Sequence, residues 1–272
     1  MKNPLYLLQR ALTYLVLIVA SLLSVFPFFW LLVGATNTSA DIIKGKADIG
    51  GALIDNILTF FERVDVPLVF WNSIYIAVTA TFLTLLVSSL AGYAFEIFRS
   101  QVRERIFGGM LLMLSIPFAA LMIPLFTMMG RLGLINNHLA IILPGIASIF
   151  IIFYFRQATK AFPRELRDAA RIDGLKEWQI FFYIYLPVMR STYAAATIIV
   201  FMLNWNNYLW PLIVLQTNDK KTLTLVVSSL LSGYYPDFGV IMVATIFATL
   251  PILIIFFVLQ RRFVEGMLGS IK

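Results

Sequence analysis

Long runs without a charged residue alternate along this chain with short segments that carry charge. Six runs are long enough to cross a membrane, namely 11–40, 66–95, 106–130, 132–155, 191–218 and 238–260. A transmembrane helix needs about 20 apolar residues, and a lone segment at that depth must satisfy its backbone as a helix. We therefore expect an all-α, polytopic membrane protein with one transmembrane domain over residues 1–272. Its six spans are predicted at 11–35, 72–97, 106–129, 135–157, 188–212 and 238–260.

The composition agrees with a chain that lies mostly in lipid. Hydrophobic residues make up 60% of the sequence and charged residues 13%, whereas soluble domains carry roughly 25% charged residues. The sequence contains no cysteine, which excludes disulfides and thiol chemistry. The first run is too long for the apolar region of a signal peptide, so we expect it to be retained as the first helix.

Lysine and arginine are distributed unevenly between alternate segments, and this distribution predicts orientation. With the N-terminus in the cytoplasm, fifteen of the 21 basic residues fall on the cytoplasmic side and six on the outer side, while the acids divide evenly. We therefore expect a multi-pass plasma-membrane protein with both termini and the loop 158–187 in the cytoplasm. The basic loops explain the net charge of +7, so no nucleic-acid partner is expected.

The segment 163–187 is the longest charge-rich stretch of the chain. Pro163 suits the first turn of a helix, where its missing N–H is not needed, and Gly174 suits a left-handed cap that ends this helix. Lys176 opens a second helix, which Pro187 is expected to stop. The pattern predicts two short helices that meet at a turn. On composition alone, a basic amphipathic loop lying on anionic lipid headgroups is an open alternative.

Within this segment, Asp-Ala-Ala at 168–170 is followed after three residues by glycine, and after nine more by Ile-x-Leu-Pro at 184–187. This spacing resembles the EAA loop of bacterial ABC importer permeases, E-A-A-x3-G-x9-I-x-L-P. Aspartate replaces the glutamate of that pattern, which keeps the charge and shortens the side chain. In that family the loop docks in a groove of the ATP-hydrolysing subunit and transmits its closure to the membrane helices. The resemblance implies this ATPase-coupling role for Asp168, Ala169, Ala170, Gly174, Ile184, Leu186 and Pro187.

The resemblance extends over the whole chain. FPRELRDAARIDG, NWNNYLWPLIVLQ and QRRFVEGMLGSIK are similar to the second permease of carbohydrate-uptake ABC importers of the maltose type. This implies the type I importer permease fold, translocation of a sugar or oligosaccharide into the cytoplasm, and an approach of the tail 266–272 to the ATPases. The implied partners are a second, homologous permease in a heterodimer, two ATPase subunits that hold ATP and Mg, an extracytoplasmic solute-binding protein, the carbohydrate and membrane lipid. This chain itself is expected to hold no cofactor.

A cluster of amide and aromatic side chains lies towards the outer end of the predicted fifth span. Amides donate and accept hydrogen bonds together, as sugar hydroxyls require, and an amide in hydrocarbon is costly unless it faces a partner or a wet cavity. The cluster is therefore a candidate substrate pathway, although an aromatic belt at the outer interface and helix packing are open alternatives. Its members are Asn204, Trp205, Asn206, Asn207 and Trp210.

Small residues and prolines predict where the spans approach one another or bend. Ser88 and Gly92 in the second span allow close contact between helices. Prolines inside spans leave carbonyls unpaired and produce kinks. They occur at Pro117, Pro124, Pro144 and Pro251. The first outer segment, 41–67, is mixed in charge and is expected to include a short amphipathic helix.

Several classes of protein require residues that this sequence lacks. The chain has no G-x-x-x-x-G-K-[ST] phosphate loop, so ATP hydrolysis is expected on partner chains. No acid lies within the six charge-free runs, which argues against a proton-coupled carrier. The sequence shows neither a nucleophile–base pair nor a metal-binding cluster, so no residue indicates an enzyme. The alternatives are an ABC permease for a non-sugar solute, a stand-alone channel or secondary carrier, and a structural membrane subunit.

Overall fold

The computed structural model describes residues 4–233 and 235–269, and the regular elements in this part of the chain are all helices. This confirms the predicted all-α class. The elements before the charge-rich segment are α1 (Pro4–Ala35), α2 (Ser39–Ile43), α3 (Leu53–Arg63), α4 (Val66–Ile97), α5 (Gln101–Met113), α6 (Phe118–Arg131), α7 (Leu139–Gly145) and α8 (Ile149–Thr159). Those that follow are α9 (Arg164–Ile172), α10 (Glu177–Ile180), a π-helical turn (Phe181–Tyr185), α11 (Leu186–Val188), α12 (Arg190–Trp205), α13 (Leu209–Val214), a 3-10 turn (Asn218–Lys220), α14 (Leu223–Leu231) and α15 (Phe238–Gly269).

Helices long and apolar enough to cross a membrane account for most of the predicted spans. Four such helices are Leu8–Ala35, Val66–Ile97, Arg190–Val214 and Phe238–Arg261. Two further helix pairs are apolar enough when taken together but are bent, by 102° between α5 and α6 and by 41° between α7 and α8. Counting each bent pair as one span gives six in the described chain. The six-span arrangement therefore stays a prediction that depends on how these two pairs cross.

Both bends lie beside a proline. Pro117 precedes the first residue of α6 at the larger bend, and Pro144 lies in the last turn of α7 before the smaller one. Because a proline cannot donate to the preceding turn and its ring displaces a carbonyl, the predicted kinks are confirmed at these two positions. Pro124 and Pro251 lie inside α6 and α15, which continue through them.

The described chain divides into two compact units. The first comprises Met1–Val66 and Val227–Thr249, and the second comprises Pro67–Val226 and Leu250–Lys272. The segment that resembles the EAA loop and the candidate pathway cluster both belong to the second unit. The second unit therefore holds both groups of candidate functional residues.

In the first unit, the predicted amphipathic helix of the outer segment is α3, which is held by a buried amide. Asn56 Nδ2 donates to the carbonyl oxygens of Ala35 and Asn37 at 2.9 and 3.0 Å. A Cβ added at Gly239 would lie 2.5 Å from the same nitrogen, so only glycine fits beside it. The end of α1, the start of α15 and α3 are thus joined around one asparagine.

In the second unit, α4 and α8 approach each other closely at the predicted small residues. A Cβ added at Gly92 would lie 2.7 Å from Phe155 Cβ and 2.8 Å from the backbone nitrogen of Arg156. Ser88, one helical turn earlier, is fully buried. The predicted close contact is confirmed, and it fixes α4 against the helix that leads into the charge-rich segment.

Candidate functional site

The first helix of the charge-rich segment begins and ends where the sequence predicts. Pro163 is the residue before α9, and Gly174 has a φ of 83°, the left-handed conformation that glycine adopts without strain. The N–H of Leu175 donates to Ala170 O at 3.0 Å, and the N–H of Gly174 donates to Arg171 O at 3.1 Å. These two bonds form a Schellman motif, so the predicted cap is confirmed.

The second helix does not stop at Pro187, and that prediction is wrong. After α10 the chain continues through the π-helical turn Phe181–Tyr185 and then α11, which contains the proline. Pro187 cannot donate to residue 183, and its ring would collide with that carbonyl in a regular α-helix. The N–H of Leu186 donates instead to Phe181 O, five residues back. The wider π turn makes room for the proline and keeps the chain helical.

An aromatic cluster anchors the second helix to α4 and α8. The ring of Tyr185 lies 4.8 Å from that of Tyr93 on α4 and 5.2 Å from that of Phe181. Its hydroxyl is 2.6 Å from Thr159 Oγ1 at the end of α8. Burial raises the pKa of Tyr185, so this phenol stays neutral. The helix-turn-helix is therefore packed on the ends of α4 and α8.

The residues with an implied coupling role differ in exposure. Ala170 is 4% exposed, whereas Ala169 is exposed, so of the two alanines only Ala169 lies at the surface where another chain can approach it. Ile184 is half-buried. The exposed members are Asp168, Ala169, Gly174, Leu186 and Pro187.

The same surface exposes large apolar side chains that the motif does not contain. Ile172 is 87% exposed, Tyr183 66% and Trp178 56%. In the sequence these residues are recognisable as apolar side chains within a charge-rich segment outside the predicted spans. A monomer in water would not favour such exposure, so these side chains indicate a surface that another molecule covers.

An ion pair that sequence reasoning missed joins the two helices of this segment. Arg167 on α9 donates to Glu177 on α10 through Nη2 at 2.7 Å and Nε at 3.3 Å. Burial lowers the pKa of Arg167, but the hydrogen bond and charge of Glu177 more than offset this and raise that pKa above its ordinary value. The partners are ten residues apart across a turn, so spacing alone could not identify the pair.

A second charge pair, which the sequence analysis did not identify, lies buried between α4 and α8. Glu96 is 3% exposed and Arg156 6%. Arg156 Nε lies 3.5 Å from Glu96 Oε2, and its guanidinium lies 4.1 Å from the ring centre of Phe107. Glu104 on α5 also accepts from Arg156. One arginine of α8 thus connects the ends of α4 and α5.

Part of the candidate pathway cluster lines a cavity in the second unit. The cavity has a volume of about 300 Å³. Trp205 and Asn206 do not line it: Trp205 is buried against Phe201, with ring centres 5.6 Å apart, and Asn206 is exposed after the end of α12. The lining residues are Thr84, Phe118, Ile141, Pro144, Gly145, Ser148, Ile151, Val200, Leu203, Asn204, Asn207 and Trp210.

Hydrogen bonds fix several polar groups in the wall of this cavity. Asn204 Nδ2 donates to Val200 O of its own helix at 2.9 Å, which directs the amide and leaves its oxygen as an acceptor. Trp210 Nε1 donates to Ala140 O at 2.8 Å, so this indole is held in place and only its ring can contact a guest. Thr84 Oγ1 donates to Gly145 O, at the break between α7 and α8, at 3.2 Å. The wall therefore combines fixed rings with oriented polar groups.

The predicted approach of the tail 266–272 to ATPase subunits concerns side chains that lie outside the described part of the chain. The described helix α15 reaches Gly269. The helix-turn-helix and the cavity both belong to the second unit. The first packs on the ends of α4 and α8, and the second is lined in part by residues of the same two helices.

Comparisons with known proteins point to one kind of membrane protein. Residues 98–269 match the family described as binding-protein-dependent transport system inner membrane component. The chain is 69% identical over 259 residues to the lactose transport system permease protein LacG of Rhizobium radiobacter, covering 95% of each chain. It is 35% identical to the arabinooligosaccharides transport system permease protein AraQ of Bacillus subtilis, covering 99% of this chain and 98% of the relative.

A solved structure shares the fold. The chain superposes with a TM-score of 0.81 on a protein of a bacterial ABC transporter involved in the import of the acidic polysaccharide alginate. The match covers 96% of this chain and 98% of the other, with 20% sequence identity. At that identity the likeness establishes the fold alone, which is the importer permease fold that the sequence resemblance implies.

Proposed function

Because the chain belongs to the family of binding-protein-dependent transport system inner membrane components, we propose that it carries a neutral disaccharide, of which lactose is the first candidate. The chain is a multi-pass inner-membrane permease subunit of a sugar ABC importer. Subunits of this family are membrane permeases rather than the catalytic part of the transporter. Both termini and the helix-turn-helix lie in the cytoplasm in this proposal, as the basic loops favour.

The observation that carries the choice of sugar is the identity of 69% over 95% of both chains with a lactose permease. The cavity supports a neutral substrate, since none of its lining residues carries a charge. The sn-glycerol-3-phosphate transport system permease protein UgpE of Brucella abortus is a more distant relative, at 29% identity. A phosphate ester would require a cation or a set of donors in the wall, so the geometry favours an uncharged sugar.

The cavity accommodates part of the sugar as it passes. The rings of Phe118 and Trp210 are suited to the apolar C–H face of a pyranose, while the amide oxygen of Asn204 accepts from a hydroxyl. Asn207 supplies a second amide at the end of the cavity wall. In this proposal Trp205 and Asn206 pack and cap the helix rather than contact the substrate.

The helix-turn-helix transmits the energy of ATP hydrolysis to this cavity. Its exposed set, defined by Asp168, Ala169, Gly174, Leu186 and Pro187, is proposed to dock on an ATPase subunit together with the apolar side chains beside it. ATP and Mg are proposed to bind on two such subunits. A homologous second permease and an extracytoplasmic solute-binding protein complete the assembly.

Reconstitution tests this proposal directly. The chain, its neighbouring permease, the ATPase and the binding protein are placed in vesicles, and uptake of labelled lactose, raffinose and glycerol 3-phosphate is measured with and without ATP. We expect ATP-dependent uptake of the neutral sugar and at least a tenfold loss with Asn207→Ala, a loss equivalent to about 1.4 kcal/mol. Uptake by this chain alone without ATP would indicate a channel or carrier and would contradict the proposal.

A further inference from the structure

The carboxylate of Glu177 is contacted from two separate helices besides its own. From α9, Arg167 binds both of its oxygens, and Arg171 Nε lies 3.6 Å from Oε1. From α4, the hydroxyl of Tyr93 donates to Oε2 at 3.4 Å. A carboxylate that accepts several charged and neutral donors in fixed directions holds its partners at defined angles. Glu177 therefore joins α9, α10 and α4 at one point.

The same arginine also reaches the chain beyond the end of α4. The guanidinium of Arg167 lies 5.3 Å from the ring centre of Phe98, and that of Arg103 lies 5.7 Å from the same ring. Arg103 also donates to the backbone carbonyl of Phe98. Cation–π contacts of this kind are favourable when the cation is partly desolvated, and the side chain of Arg167 is only 15% exposed. The link between α9 and α4 is thus ionic and aromatic together.

The helix that this link reaches also forms part of the cavity wall. Thr84 lines the cavity, and Tyr93 lies nine residues further along the uninterrupted helix α4. At 1.5 Å per residue these positions are about 14 Å apart, and an unbroken helix transmits a displacement over that distance as a rigid element. The aromatic cluster around Tyr185 attaches the second helix to α4, whereas Arg167 links α9 to Glu177 on α10 and to the ring of Phe98 just after α4.

We propose that Arg167 and Glu177 are positioning residues for coupling, and we call their bidentate contact the Arg167–Glu177 clamp. The clamp holds α9 at a fixed angle to α10 and α4, so that a displacement of α9 by a docked ATPase moves α4 instead of bending the turn at Gly174. This inference rests on the proposed function. It goes beyond the implied EAA-like positions, which include neither residue.

A distance measurement tests the clamp independently of transport. The sequence contains no cysteine, so spin labels can be placed at Glu165→Cys on α9 and Val102→Cys on α5, two exposed positions that lie outside the proposed docking set. In the assembled transporter, E177Q is expected to broaden and shift the distance distribution between the labels. E62Q is the matched control, because Glu62 is an exposed glutamate of the outer helix α3, and it should leave the distribution unchanged. An unchanged distribution in E177Q would overturn the inference.

Coupling is then measured on the same complexes as ATP hydrolysed per sugar imported. We expect E177Q and R167M to raise this ratio by about fivefold or more while the ATPase still co-purifies with the permeases. R167K keeps the charge but loses the bidentate geometry, so an intermediate ratio is expected. The exchanged pair R167E/E177R should restore part of the coupling.

The outcomes separate the two proposals. Loss of ATPase binding together with an unaltered label distance would show that these residues only stabilise the docking surface, which overturns the clamp. A broadened distance with an unchanged ratio would also overturn it, because the clamp would then have no role in coupling. If the unaltered transporter imports sugar without ATP, the proposed function fails even though the label distances can still demonstrate the clamp.

Discussion

Single residues in this protein determine local structure through backbone conformation and through individual hydrogen bonds. Gly174 illustrates the first, because its φ of 83° lies in the left-handed region and no heavy atom lies within 4 Å of an added Cβ. A substitution there meets no neighbour, so its whole effect comes from the backbone. A residue other than glycine in this conformation costs roughly 1–2 kcal/mol. The turn between α9 and α10 would relax and change the direction of α9.

We predict that Gly174→Ala lowers the sugar imported per ATP while leaving the ATPase bound. Gly174→Asn should be milder, because asparagine tolerates the left-handed conformation better than alanine does. Gly51→Ala is the control, since Gly51 also has open space around it and its φ is not positive. Uptake and ATP hydrolysis are measured together in reconstituted vesicles. Normal coupling in Gly174→Ala would remove the turn from the proposed mechanism.

Trp210 illustrates the role of a single hydrogen bond. Its indole is 2% exposed and donates to Ala140 O, which joins α13 to α7. Trp210→Phe leaves that carbonyl without its donor, at a cost of about 1–3 kcal/mol. We expect a lower unfolding temperature in detergent, whereas Trp71→Phe, at a 65% exposed indole, should change it little. Equal unfolding temperatures for the two variants would show that the cavity wall does not depend on this bond.

At the scale of elements, the close pairing of α4 and α8 decides how the second unit holds together. An added Cβ at Gly92 would meet two backbone atoms of α8, the nitrogen of Arg156 at 2.8 Å and the carbonyl oxygen of Ile152 at 3.0 Å. Backbone atoms cannot rotate away as a flexible side chain can. The helices must therefore move apart, and contacts along their whole length are weakened.

We predict that Gly92→Ala destabilises the folded protein by about 1–3 kcal/mol, the usual cost of overpacking. Gly108→Ala in α5 is the matched control, because no heavy atom lies within 4 Å of its added Cβ. Alanine also favours a helix over glycine by about 1 kcal/mol, so this control should be neutral or stabilising. Thermal unfolding of the purified complexes distinguishes the two variants. Equal changes in unfolding temperature would show that α4 and α8 can accommodate an added methyl group.

The sequence predicted the elements well where one local rule decided them. Charge-free runs located the long helices. The glycine at position 174 located the turn, because the turn needs the positive φ that Gly174 adopts. The outcome at Pro187 was different because two rules compete there: proline breaks an α-helix, yet a π turn accommodates it. The ion pairs of Arg167 and Arg156 could not be predicted, since each joins side chains that only the packing of separate helices brings together.

At the scale of the whole molecule, the distribution of basic residues predicts how the helix-turn-helix and the cavity are placed relative to the membrane. The helix-turn-helix can meet an ATPase only if it lies in the cytoplasm, and the cavity can receive sugar only if a path leads to it from outside. The basic bias of the loops predicts this arrangement. The headgroup alternative for the segment 163–187 predicts the same side but no ATPase contact.

Labelling of single cysteines tests the orientation in a chain that has none of its own. Ile172→Cys should react with an impermeant maleimide only after the membrane is opened, and addition of the ATPase should protect it. Gln216→Cys, at an exposed position after α13, should react in intact cells, because the predicted orientation places the segment after the fifth span on the outer side. Reaction of Ile172→Cys from outside would reverse the orientation and place the docking surface where no ATPase can reach it. Protection by anionic lipid but not by the ATPase would instead favour the headgroup alternative.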